Sequence, residues 1–407
     1  MNTVGPSIVA QAASKGPALH AKPRHLGLDL VRATAITLVV ISHANMCFPS
    51  IWPLSIGVTD YLGYVGVELF FSLSGFLIGG VLLDIDAGTA GDWWLGRFWS
   101  RRWLRTLPAY YAYLTFAAVS AGQIDWPSIL FVQRFFPGSE NFFGVSWSLA
   151  MEEWFYLLLP LIVLLVGRLS RRPPTTARVL CRTAIAIIVT CLAARAIFIH
   201  FRVLTPWLGE LSFRSHPIVR LDCCAYGVLL AGLVRLDPAR AKAVLLRHSP
   251  VVTFGLCLAP VVALGIIFNI LVRFDPALER RILFRHWGDF YFIFGHAIVD
   301  VAAAIFVSMI YFIRLRVPTL MHWTIAGLSR ISYSVYLFHV PFNAFFAREI
   351  LPNLNLAEGV VLYVIFLLIG SAISYRLIEW PFLWLRDAGA RAPRPDAKPR
   401  HSEGGAA

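Results

Sequence analysis

The stretch LDLVRATAITLVVISHANM, residues 28–46, decides the fold. Apart from Asp29, Arg32 and His43 it carries no ionisable side chain. At 1.5 Å of rise per residue, a helix of this length is nearly as long as the ~30 Å hydrocarbon core of a bilayer. A helix satisfies its own backbone polar groups, which lipid cannot do. The stretch therefore predicts a membrane-spanning helix.

Similar apolar runs recur along the whole chain. Of the 407 residues, 58% are hydrophobic and 14% are charged, against about 25% charged in ordinary soluble domains. This composition excludes a disordered chain, a coiled coil and a collagen-like fibre, and it argues against a water-soluble enzyme. Strands of a membrane barrel would instead show short alternating segments. We predict an all-α, polytopic transmembrane bundle of about ten spans, near residues 29–48, 62–83, 107–121, 147–167, 183–201, 218–234, 250–271, 289–313, 324–346 and 358–379.

The basic residues predict the orientation of this bundle. The two tails and the even-numbered loops hold 23 of the 36 Lys and Arg, and the opposite loops hold 8. Cytoplasmic loops are enriched in Lys and Arg, so both termini are expected in the cytoplasm. The same bias accounts for most of the net charge of +13, and no nucleic-acid partner is needed to explain it.

Three regions follow from this pattern. Residues 1–27 are expected to be a disordered cytoplasmic tail, and residues 28–385 to be the membrane domain. Residues 386–407 are rich in Ala, Pro, Gly and charge without an apolar run, which is typical of disorder.

Arg32 and His43 are ionisable groups inside the first span, where such groups are costly and often functional. They are eleven residues apart, which corresponds to about three helical turns and ~16 Å. Both side chains are therefore expected on one face. A snorkelling Arg with a hydrogen-bonded core His is the alternative, but the alignment of the pair favours a function.

Acidic residues interrupt two other spans. Glu68 lies near one end of the second span, and Glu152 and Glu153 lie together in the fourth. Ser148 is four residues before Glu152 and shares its helix face. A carboxylate buried without a cation is costly, so an Arg or His partner is expected.

Arg102 and Arg105, with Arg101 beside them, form a basic R-x-x-R loop. Two arginines at i and i+3 share a helix face and can bind phosphates through paired hydrogen bonds. Charge alone is equally typical of an ordinary cytoplasmic loop. Further polar residues in later spans, which together indicate a site or a pathway inside the bundle, are Arg220, Asp222, His296, Asp300, His339 and Glu379.

The chain resembles the acyltransferase-3 family of bacterial integral-membrane O-acyltransferases. The resemblance is carried, in family order, by LDLVRATAITLVVISH, GVELFFSLSGFLI, RRWLRTLPAYY, WSLAMEEWFYLLLP, ISYSVYLFHVPF and SYRLIEWPF. It implies a ten-span domain in the bacterial inner membrane that takes an acyl group, often acetyl, from cytoplasmic acyl-CoA. The acceptor would be a hydroxyl of a surface glycan or of its lipid-linked precursor. Acyl-CoA would be a co-substrate, with no permanently bound cofactor and no metal.

The resemblance also assigns roles by position. Arg32 and His43 match the essential Arg/His pair of the family, and Arg102 and Arg105 match its donor-linked motif, with Arg101 adjacent. Glu152 matches the family acid and is favoured over Glu153.

For the chemistry, a hydroxyl needs a base near neutral pH, which suits His43. Glu152 is the first candidate to hold the imidazolium, and Asp29 and Glu68 are weaker candidates. Ser148 or Arg32 could stabilise the oxyanion.

Several alternatives stay open at this level. An acyl-histidine or acyl-serine intermediate is as compatible with these residues as direct transfer. A transporter or flippase would use the same polar interior, although matching interrupted spans are not evident. A scaffold subunit of a glycan assembly complex is a third class. The acceptor, the acyl group and the oligomeric state are not predicted.

Overall fold

The computed structural model describes residues 25–49, 56–85, 94–135, 142–172, 176–201, 214–249 and 291–389, with isolated positions at 252, 255 and 259. Side chains are described from residue 61 in the second range and from residue 293 in the last. Within these ranges the chain is helical and contains no strand, which confirms the all-α class. The long helices are α1 Leu26–Ala44, α2 Ile56–Leu83, α3 Trp94–Ala121, α4 Ser146–Leu169, α5 Ala177–His200, α6 Asp222–Leu236, α7 His296–Phe312, α8 Thr319–Phe345, α9 Leu356–Ser374 and α10 Trp380–Gly389.

Seven segments of the described chain are long and apolar enough to cross a membrane: Leu26–Ala44, Tyr61–Leu83, Ser146–Leu169, Ala177–His200, Pro217–Leu236, Ile293–Phe312 and Leu356–Ala388. Two further expected spans, 107–121 and 324–346, lie on α3 and α8. These two helices are less apolar because they carry many of the polar side chains described below. Most of the expected span 250–271 and most of both tails lie outside the described residues. The count of ten and the cytoplasmic termini remain predictions.

Helix α2 lies at the centre of the described bundle, against α1, α6 and α7. Helix α1 packs between α2 and α8, and α8 also contacts α3 and α9. We call the end where α1 begins the first end, and the end where α1 finishes the second end. Helices α1 and α8 run parallel, because Arg32 contacts Ser329 near the first end and the backbone of His43 bonds Asn343 near the second.

Small residues set the closest helix crossing. A Cβ built on Gly75 of α2 would lie 1.9 Å from the carbonyl oxygen of Cys224 in α6, and one on Gly227 would lie 2.1 Å from that of Ser72. Side-chain atoms cannot approach backbone this closely. The glycines therefore allow the two backbones to touch, which is how small residues join helices in lipid.

We expect Gly75→Ala to destabilise the protein by about 1–3 kcal/mol, because backbone must move to admit the methyl group. A methyl group added at Gly80 of the same helix would meet no atom within 4 Å, so Gly80→Ala is the matched control. Thermal unfolding of the purified variants in lipid nanodiscs measures the difference. Equal melting temperatures for Gly75→Ala and wild type would contradict the close crossing.

Candidate active site

A polar cavity of about 110 Å³ lies between α1, α2, α3, α4 and α8. Its wall combines apolar side chains with charged and hydroxylated ones. The polar lining residues are Arg32, Ser74, Arg102, Arg105, Thr106, Ser148, Glu152, Ser332, Tyr333 and Tyr336. The structure thus brings together five of the residues singled out in the sequence: Arg32, Arg102, Arg105, Ser148 and Glu152.

Arg102 anchors one side of this cavity. Its guanidinium carbon lies 4.1 Å from the centre of the Tyr156 ring, and its Nη2 donates to the Tyr156 hydroxyl and, at 3.5 Å, to Ser74 Oγ. The carboxylate of Glu152 lies close to the same two hydroxyls and to the positive charge of Arg102, although the two side chains form no ion pair within 4 Å. The cation nearest in effect to Glu152 is therefore an arginine of the R-x-x-R motif.

Arg105 also lines the cavity, three residues further along α3. It makes no hydrogen bond or ion pair with the described residues, so its charge is available to a ligand. Arg101, directly before the first motif position, is exposed, as is Arg97. The i and i+3 spacing correctly predicts a shared face for Arg102 and Arg105, and Arg101 lies off that face.

Arg32 is held at the first end of the cavity. Its Nη1 donates to Ser329 Oγ at 3.1 Å and lies 3.4 Å from Asp29 Oδ1, while Ser329 Oγ donates to Asp29 at 2.6 Å. Asp29 thus contacts Arg32 and Ser329, at the opposite end of α1 from His43. Its observed role is to position Arg32.

His43 lies beside His339, with ring centroids 4.9 Å apart and the rings nearly perpendicular. Arg32 and His43 both contact α8, which confirms that they share one face of α1. His43 Nδ1 lies 2.9 Å from the carbonyl of Val39. A carbonyl can only accept, so Nδ1 carries the proton and Nε2 of the neutral ring carries the lone pair.

His339 is completely buried and has the same tautomer. Its Nδ1 donates towards the carbonyls of Tyr336, at 2.7 Å, and Val335, at 3.1 Å. Its Nε2 is buried and has no hydrogen-bond partner among the described residues. Two imidazolium charges at this separation would repel, which disfavours simultaneous protonation of both rings.

Tyr336 connects the cavity to the histidine pair. It lines the cavity, its hydroxyl bonds Ser148, and its ring centroid lies 5.7 Å from that of His339. His43 itself is not part of the cavity wall. The base candidate is reached from the cavity past Tyr336 and His339.

Glu153 and Glu152 have different surroundings. Glu153 accepts a 2.7 Å hydrogen bond from Thr106 and is buried outside the cavity wall. Glu152 lines the cavity. Adjacent helix residues point about 100° apart, which explains the difference.

Glu68, Arg220 and Asp222 lie in a separate buried cluster. Arg220 bonds Glu68 at 2.6 Å and Asp300 at 2.7 Å, and Asp222 pairs with Arg195. All five side chains are fully buried. The cluster ties α2, α5, α6 and α7 together.

Sequence reasoning did not single out Ser74, Tyr156, Ser329 and Tyr336. Tyr156 is four residues after Glu152, and Tyr336 is three before His339. That spacing, which brings residues to one helix face, was a usable signal. Ser74 and Ser329 gave no such signal, because their contacts are to other helices.

The fold and the site together define a class of protein. It is helical throughout the described residues, and several helices of membrane-spanning length surround a cavity rich in arginines. The chain belongs to the family described as the acyltransferase domain, whose model matches residues 25–376. That match covers all the helices that line the cavity.

The curated relatives agree with this family. The chain is 27% identical over 404 residues to O-acetyltransferase OatA of Staphylococcus aureus strain NCTC 8325, covering 91% of this chain and 58% of the relative. OatA of Staphylococcus aureus strain COL matches with the same identity and coverage. The chain thus spans somewhat over half the length of these relatives. No solved structure matches it.

Proposed function

We propose that the protein is a membrane O-acyltransferase that moves an acyl group, acetyl in the first instance, from cytoplasmic acyl-CoA to a hydroxyl of an exported or cell-surface glycan. The observation that carries the proposal is the arginine-lined cavity that adjoins the His43–His339 pair through Tyr336. Family membership and the similarity to O-acetyltransferases support the reaction class.

The charge of the cavity suits an acyl-CoA donor. Three arginines and one carboxylate line it, a formal balance of +2. Arginine binds phosphates well, because its planar group can donate two parallel hydrogen bonds. In our proposal Arg102 and Arg105 hold the CoA phosphates at the first end, and the thioester arm extends towards Tyr336.

The proposed base is His43. Its Nε2 lone pair takes the proton of the acceptor hydroxyl as the oxygen attacks the thioester carbon. The tetrahedral intermediate then expels the thiolate, and the imidazolium returns the proton to sulfur, so that atoms and charge balance. The Val39 carbonyl, bonded to Nδ1, stabilises the imidazolium.

Glu152 has a different role here from the one expected from the sequence. Its neighbours are Arg102, Ser74 and Tyr156. We assign it to positioning Arg102 against the donor. Ser148, bonded to Tyr336, is the candidate donor to the oxyanion.

The proposal extends to the setting of the reaction. The chain would lie in the bacterial inner membrane with both termini in the cytoplasm, and its partners would be acyl-CoA, a glycan or lipid-linked glycan and the bilayer. A transporter or flippase remains the competing class. A cavity lined by arginines that adjoins a histidine pair through Tyr336 favours the enzyme, because transport alone needs no base.

Transfer of radiolabelled acetyl from acetyl-CoA to glycan in membranes containing the protein tests the function. Membranes with the wild-type protein should label glycan well above membranes of a matched deletion strain. Translocation of lipid-linked glycan without any labelling would assign the protein to the transporter class.

Arg105→Gln should raise the KM for acetyl-CoA by about 10- to 100-fold, because a charge-assisted phosphate contact is worth roughly 1.5–3 kcal/mol. The kcat should change much less, since Arg105 lies away from the reacting carbon. Arg97→Gln removes the same charge from an exposed position on α3 and is the matched control. Equal KM values for both variants would show that Arg105 does not bind the acyl-CoA donor.

A further inference from the structure

Arg214 lies at the second end of the bundle in an aromatic slot. Its guanidinium carbon is 4.7 Å from the centre of the Trp147 ring and 4.9 Å from that of Tyr64. Both rings are buried, and they come from the first turns of α4 and from the early part of α2. The slot thus fixes the position of a cation whose side chain is half-buried.

Arg214, like Arg105, differs from three other arginines in the core of the bundle. Arg195 and Arg220 are paired with buried carboxylates, and Arg32 is paired with Asp29. Among the described residues, no carboxylate lies within ion-pair distance of Arg214, and its buried Nε has no hydrogen-bond partner. A desolvated guanidinium without an anion is costly, so this position is suited to a ligand anion.

The slot is close to the proposed chemistry. Arg214 contributes to the electrostatic field at Tyr336, which lines the cavity and neighbours His339. The positive charge of Arg214 also acts on the imidazole of His296 in α7. Arg214 therefore approaches the cavity from the second end, opposite the first end where Arg32 is held.

We propose that Arg214, Trp147 and Tyr64 form the acceptor subsite and bind an anionic group, a carboxylate or a phosphate, on the sugar that receives the acyl group. This inference rests on the proposed function. The two buried rings hold the guanidinium in place, and a fixed guanidinium recognises a carboxylate or a phosphate through two hydrogen bonds. A neutral glycan would leave the Arg214 charge uncompensated and would bind more weakly.

Binding of two matched sugars tests the subsite directly. The probes are methyl β-D-glucuronide and methyl β-D-glucoside, which differ in one carboxylate, titrated by calorimetry into the protein held in phosphatidylcholine nanodiscs. We expect wild type to prefer the glucuronide by about tenfold. Arg214→Gln should bind the two sugars equally. Arg348→Gln, which removes an exposed charge following α8, should keep the preference.

Each other outcome is decisive. Equal binding of the two sugars by wild type, no binding at all, or a preference retained by Arg214→Gln overturns the proposal. Loss of the wild-type preference in discs containing phosphatidylglycerol assigns the anion to a lipid headgroup and also overturns it. A second pair of probes, glucose 1-phosphate and glucose, is titrated in the same way. If wild type discriminates within this pair more strongly than between the glucuronide and the glucoside, the bound group is a phosphate. Acetyl transfer is measured on the same preparation, so that failure of the reaction and failure of the subsite are seen separately.

Discussion

The His43→Ala variant is expected to lose acyl transfer by about 10²–10⁴-fold, the usual contribution of a positioned general base. The loss should appear in kcat with little change in the KM for acetyl-CoA, because the donor arginines are at the other end of α1. Correct folding should persist, since Asn343 bonds the backbone carbonyl of His43 and not its ring. Labelled acetyl transfer in membranes with equal amounts of inserted protein measures the effect.

The control for this variant is His322→Ala. His322 lies on α8 and is exposed, so its removal should leave activity unchanged. A His43→Ala protein that inserts normally and keeps near-normal activity would show that the base lies elsewhere. His339 would then be the first alternative, because its Nε2 is buried without a partner.

A trapping experiment without acceptor separates the two chemical routes. In direct transfer no acyl group rests on the protein, whereas the covalent route leaves one on a nucleophile. Acid quenching after mixing with labelled acetyl-CoA, without acceptor, followed by mass spectrometry of peptides, detects such an adduct. Detection of an acetyl group on the ring of His43 would show that the reaction follows the covalent route and not direct transfer.

The second large effect is on stability. Arg220→Ala leaves Glu68 and Asp300 buried without the guanidinium that bonds both at 2.6–2.7 Å. Removing one partner of a buried ion pair typically costs about 3–5 kcal/mol. We expect a large fall in the thermal midpoint of the purified protein and much lower recovery from membranes.

Replacing all three charged residues of the cluster by neutral ones should recover part of the stability that Arg220→Ala loses. In the triple variant Glu68→Gln, Arg220→Gln, Asp300→Asn, no buried charge is left unpaired, so stability should exceed that of Arg220→Ala. Arg235→Ala is the matched control, because Arg235 and Asp84 form an exposed pair at 3.8 Å worth at most about 1 kcal/mol. If Arg220→Ala melts like Arg235→Ala, the buried cluster is not what holds α2 to α7.

Periodicity within single helices predicted much of the candidate site. The eleven-residue spacing of Arg32 and His43 correctly indicated one face of α1, since both residues contact α8. The spacing of Arg102 and Arg105 likewise indicated one helix face, and both residues line the cavity. Such inferences succeed because helix geometry is local and nearly constant.

Contacts between helices were beyond the reach of the same reasoning. The partner of Glu68 is Arg220, which is 152 residues away along the chain. His339 was recognised as polar, whereas its position beside His43 depends on the parallel packing of α1 and α8. One sequence without a measure of covariation does not specify which helices become neighbours.

The buried cluster also has a consequence for how the chain is assembled during translation. Glu68 enters the bilayer 152 residues before Arg220 is made, and Asp300 follows 80 residues after Arg220. At 5–20 residues per second, Glu68 waits roughly 8–30 s for its cation. A lone carboxylate in lipid is costly, so α2 is expected to stay near the insertion machinery until then. Biogenesis of this protein is therefore a concerted event, in which early helices are released into lipid together with the late ones that neutralise them.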